Sequence, residues 1–190
     1  SATTGTFSGI LKTDDATEAT STTDGSLQTD GGLSVVKDAV FGDDIKLLSD
    51  ASVIHFGADS EVTLTHTADT GLALKHTATA DDKPIVLTLQ TGETDIAAND
   101  ELGVINFQAP NEGAGTDAIL VAAGIAAVSE GDFSASNNAT KLSFRTGASE
   151  AASEKMSLSS AGLLTIADDF IIKDGGTIGS ASDVDAIAIA

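Results

Sequence analysis

Residues 52–66 read SVIHFGADSEVTLTH, two runs of strict apolar–polar alternation, VIHF (53–56) and VTLT (62–65), joined by the turn Gly57-Ala58-Asp59-Ser60. Alternation with a period of two marks a strand with one face toward an apolar layer and the other toward water. Ile54 and Phe56 fall on one side of the first run and Val62 and Leu64 on one side of the second. A strand that short has only two apolar side chains to bury, so no single one of them can found a core.

The pattern recurs. LSVV (33–36), IKLL (45–48), VIHF, VTLT and LALK (72–75) read as strands, each followed by a turn rich in Asp, Gly or Ser, such as SDAS, GADS or TADTG. Asp and Ser side chains bond to nearby backbone and Gly accepts positive φ, which is why these residues punctuate strands. Strands at roughly 8 to 12 residue spacing predict an all-β architecture. Residues 31–80 therefore read as repetitive β shaft, preceded by a loosely structured or connecting segment over 1–30.

From residue 84 the predicted strands lengthen: PIVLTLQ (84–90), LGVINFQ (102–108), DAILVAAGIAAVSE (117–130), TKLSFRT (140–146) and EKMSLSS (154–160). APNEGAGT (109–116) and GASEAASE (147–154) read as hairpin connections, so 81–160 is expected to be an antiparallel β-meander of five strands. The Ala-rich run 118–128 would also suit a buried helix, but its Val, Ile and Gly124 favour a strand. After residue 161 the short style returns in GLLTIADDFIIKDGGTIGSASDVDAIAI, an imperfect echo of GLSVVKDAVFGDDIKLLSDASVIHFG. Residues 161–190 are accordingly expected to be a second shaft segment that continues beyond the chain end, both ends reading as cut from something longer. Fixed-period repetition is the mark of an elongated repeat architecture.

Composition points the same way. With 7 Phe and no Trp or Tyr in 190 residues, the chain lacks the side chains that contribute most to a globular core. Small apolar residues meeting across a narrow gap suit strands wrapped about an axis, with copies of the chain closing each other's apolar surfaces. The expected trimer core is Ile54, Phe56, Val62, Leu64, Leu72 and Leu74.

Signals for chemistry are weak. There is no Cys for a disulfide or a nucleophile. His55, His66 and His76 lie in one shaft-like stretch, and THTAD and KHTATAD place the last two at the same point of a local repeat. They read first as strand positions. A ring of one such His from each of three chains could bind a metal or an anion, since imidazole suits transition metals. Asp14-Asp15, Asp43-Asp44, Asp81-Asp82 and Asp168-Asp169 invite a calcium reading, but they lack the EF-hand spacing and the Gly-rich nonapeptide of calcium-binding β-rolls. No catalytic set and no cofactor site are expected. The net charge of −20 repels phosphate backbones, which argues against nucleic acid as a partner, and no run approaches the length of a membrane span.

Three stretches resemble known proteins. GDDIKLLSDASVIHFGADSEVTLTHTADTGLALK (42–75), residues 77–156 and ADDFIIKDGGTIGSASDVDAIAI (167–189) are similar to segments of tail-fibre and related structural proteins of marine tailed phages. The family's usual K-M-x-I-x-x-x-G-L-x-x-I-G ending stands here as KMSLSSAGLLTIA, with Leu158 and Ala167 departing from it. The resemblance implies a homotrimeric, elongated, β-rich fibre on the virion, a stiff spacer presenting a host-attachment end. It also implies other virion proteins at both ends, with any host-glycan contact made by a part outside this chain. The alternative reading is a cellular extracellular filament or trimeric surface adhesin. A third is a carbohydrate-binding module, which would need an aromatic platform or an acid pair and has no Trp or Tyr to build one.

Overall fold

The computed structural model describes residues 5–29, 31–109, 115–180 and 182–188. Among them the chain is all-β, and its one helical turn is a three-residue 3₁₀ turn at Asp117–Ile119. Two compact units divide at the Lys83–Pro84 bond, Ser1–Lys83 and Pro84–Ala190.

The first unit holds a three-stranded antiparallel sheet of β1 (Val53–Phe56), β2 (Val62–Thr67) and β3 (Gly71–His76), in that order. Its turns follow from local chemistry. Gly57 has φ +87, and Ser60 and Asp69 also adopt positive φ, the left-handed conformation a tight reversal needs. A side chain at Gly57 would collide with the carboxylate of Glu61. Described residues 5–29 form no strand; their order comes from side-chain turns, such as Thr20 Oγ1 donating to Asp24 at 2.6 Å.

In the second unit β4 (Glu101–Gln108), β5 (Val121–Ser129), β6 (Thr140–Thr146), β7 (Ser153–Leu158) and β8 (Leu164–Ile166) form a five-stranded antiparallel meander in chain order. β9 (Thr177–Ser180) and β10 (Asp183–Ala188) make a separate antiparallel hairpin. Every extensive contact between elements joins neighbouring strands of one sheet. Each sheet is thus a single layer, whereas a stable domain ordinarily packs two.

Several expectations need correction. LSVV, IKLL and PIVLTLQ are not strands, because alternation supplies an apolar face but not the hydrogen-bonded neighbour a strand also requires. The meander does have five strands, yet its fifth member is β8 rather than residues 84–90. The sheet therefore runs past residue 160 into what read as shaft. The echo between residues 31–57 and the C-terminal segment is not matched by a shared element pattern, for only β1 forms in the former. The Ala-rich run 118–128 is strand from Val121 onward, not helix. Gly124 explains part of that choice: a Cβ there would stand 3.0 Å from Asn106 Oδ1 and 3.1 Å from the Ile105 carbonyl oxygen, so β5 and β4 approach closely at this point. Of the expected 109–116 connection, residues 110–114 lie outside the described residues.

Candidate functional site

The register of the first sheet decides which side chains share a face. Ile54 pairs with Leu64 and Leu64 with Leu74, while Phe56 pairs with Val62 and Val62 with His76; His66 pairs with Leu72. Directly paired residues point to the same side. Ile54, Phe56, Val62, Leu64, Leu72 and Leu74 therefore lie together on one face, joined by His66 and His76. His55 lies on the opposite face, between Thr63 and the strand end, so the three histidines are not gathered. His66 and His76 are four positions apart along the β2–β3 ladder, roughly 13 Å.

That apolar face is open. Ile54, Phe56, Leu72 and Leu74 are all exposed, whereas Thr63, in the middle of the opposite face between His55 and Lys75, is buried.

The five-stranded sheet repeats this inversion on a larger scale. One row crosses all five strands as Ile105, Ile125, Phe144, Met156 and Ile166, and the next as Gly103, Ala127, Leu142, Leu158 and Leu164. Most of these large side chains are exposed, including Ile105, Ile125, Leu142, Leu158 and Leu164. The reverse face carries Val104, Ala126, Ser143, Ser157 and Thr165. There Ser143 is 0% exposed and Ala126 1%.

Long charged side chains close the reverse face. Lys141 and Arg145 flank Ser143 on the same strand. Lys141 Nζ meets Glu154 Oε2 at 2.8 Å, Arg145 Nη2 meets Glu101 Oε1 at 2.6 Å, and Arg145 Nε donates to Ser143 Oγ at 3.3 Å. The lysine beside it holds the Glu154 carboxyl below its ordinary value of 4.5. Part-exposed pairs such as these contribute about 0–1 kcal/mol each. Their stems nevertheless cover the small side chains beneath them. At the sheet's end Ser129 is buried: its Oγ donates to the Ala97 carbonyl and accepts from the Asp100 N–H at 3.0 Å.

The acidic turns make local contacts. Asp14 pairs with Lys12, Asp15 accepts from Thr17 at 3.1 Å, and Asp168 accepts from the Asp169 N–H at 2.9 Å. Asp43 and Asp44 line an open hollow of about 570 Å³ with Glu18 and Lys46. No three His, Asp or Glu side chains among the described residues are grouped as a metal would need. No described helix is long and apolar enough to cross a membrane.

Sequence reasoning found the six apolar residues of the first sheet and missed the larger set on the second. The signal was present: LGVINFQ, TKLSFRT and EKMSL each alternate, and lining up their apolar positions would have placed them on one face.

No family model matches the sequence, and no curated protein or solved structure matches it either.

Proposed function

We propose that this chain is a structural fibre protein of a phage virion, acting as a homotrimer that forms a stiff spacer behind a host-attachment end. The observation that carries the assembly part is the exposure of large apolar side chains on one face of both sheets, while the reverse face of the larger sheet is closed by its own side chains. Covering a half-exposed Leu, Ile or Phe contributes on the order of 1 kcal/mol, so the nine exposed positions named on the two faces favour association strongly. Copies of the same chain are suited to supply the missing second layer, because each brings the same apolar faces in equal number. The phage assignment rests on the resemblance of residues 42–75, 77–156 and 167–189 to tail-fibre segments.

In this role the chain does mechanical rather than catalytic work, and its partners are its own copies and the virion proteins before and after it. Native mass spectrometry and light scattering of the folded chain test the assembly, with a trimer expected; a stable compact monomer overturns it. Antibodies raised against the chain should label the tail fibres of tailed-phage particles. Label confined to cell-surface filaments would overturn the virion assignment.

A further inference from the structure

Residues 84–90, PIVLTLQ, have the apolar and β-branched content of a strand. None of their backbone groups makes a backbone hydrogen bond with another described residue. Their side chains are as open as their backbone, with Val86 70% and Leu87 69% exposed. A segment meant to remain in water has no need of five such residues in seven, and buried backbone groups are nearly always paired.

An equally unsatisfied edge lies nearby. β4 is the terminal strand of its sheet, and among the described residues no backbone hydrogen bond from outside the sheet reaches its outer edge. At eight residues it is the longest open edge among the described residues, and the sheet's other terminal strand, β8, has only three.

Within one chain the two do not meet as strands. The linker between them is pinned at the far end of the sheet: Phe133 N–H donates to the Ile96 carbonyl at 2.9 Å, and Ala98 N–H donates to Asp132 Oδ1 at 3.3 Å. The chain thus passes over the apolar face, where Leu89 lines a hollow with Ile105, Ile125 and Leu142. The Leu89 Cβ lies 3.0 Å from where Gly103 would carry a Cβ. A side chain at Gly103 would make Leu89 give way by a few tenths of an ångström.

We propose that residues 84–90 are a strand completed in trans, adding to the free outer edge of β4 in a second copy of this chain. The inference rests on the reading that copies assemble. A second copy is favoured over a foreign strand by stoichiometry. Each chain carries one seven-residue donor and one eight-residue acceptor, so a closed ring of copies satisfies both. A foreign strand would fill the edge and leave 84–90 unpaired.

Amide hydrogen exchange on the assembled protein tests this without any substitution. The amides of residues 85–89 should exchange at least about 100-fold more slowly than unpaired ones. Proline at successive positions gives a second readout. A strand paired along one edge aims every second N–H at its partner, so one of Val86→Pro and Leu87→Pro should weaken assembly far more than the other. Fast exchange at 85–89 in an intact trimer, or equal tolerance of both prolines, overturns the inference and leaves the trimer standing. Slow exchange in a monomer also overturns it, since the strand would then pair within its own chain. A monomer with fast exchange overturns both readings.

Discussion

Single residues decide how closely the strands of the larger sheet can approach. Gly124 has ordinary backbone angles, so its role is spatial: the oxygens of Asn106 and Ile105 occupy the room a side chain would need. Gly124→Val should therefore cost about 1–3 kcal/mol, the usual penalty of overpacking, and lower the melting temperature. At Glu154 the folded pKa is depressed by Lys141 and then by Ser143, and at Glu130 by the Ser160 side chain and its N–H, which donates to Oε2 at 2.9 Å. A depressed carboxyl adds stability above its ordinary value of 4.5, and that stability is lost as the pH falls through the folded value. Acid also relieves repulsion among the many other carboxylates, so the wild type must be read against a variant. Between about pH 5 and pH 3 the wild type should lose more melting temperature than Glu154→Gln; equal losses would deny the ion pair its role.

At the scale of elements, one sheet face should respond to charge and the other should not. Leu74→Asp places a carboxylate among Leu64, Ile54 and their neighbours on the open apolar face and should weaken assembly by roughly 2 kcal/mol or more. Thr65→Asp, on the opposite face, should change it little; dissociation on dilution, followed by sedimentation, distinguishes them. Alternation made these faces legible in advance. VIHF and TKLSFRT are strands with the bounds expected, and VTLT and LALK each lengthen by two residues. Alternation could not reveal pairing. PIVLTLQ is more apolar than β7 and yet is not a strand in the single chain, while LTI, at Leu164–Ile166, becomes one because Met156 and Leu158 are beside it. Nor could the sequence announce that Lys141, Arg145, Glu101 and Glu154 converge over Ser143, since that depends on register across three loops.

For the whole molecule, charge governs behaviour at long range. Three copies carry three times −20, or −60, and the acids lie mostly in exposed turns. Such repulsion opposes assembly in dilute buffer and is screened over roughly 10 Å at about 0.1 M salt. The assembled protein should be more stable in seawater-like salt. Calcium and magnesium at equal ionic strength should act alike, because no three acidic or His side chains among the described residues are grouped as a metal site. A melting temperature unchanged or lowered by salt would sink the repulsion argument, and a gain specific to calcium would point to bound ions. The open apolar faces carry a consequence of another kind, a genetic one. If copies supply the second layer as proposed, the folding defects of one chain are inherited by its neighbours. Expressed beside an equal amount of Gly124→Val, whose damage lies between β4 and β5 and leaves the apolar faces intact, the wild-type chain would find itself in an all-wild-type trimer only about one time in four by random mixing. One damaged gene copy would then act as a dominant poison rather than a silent loss.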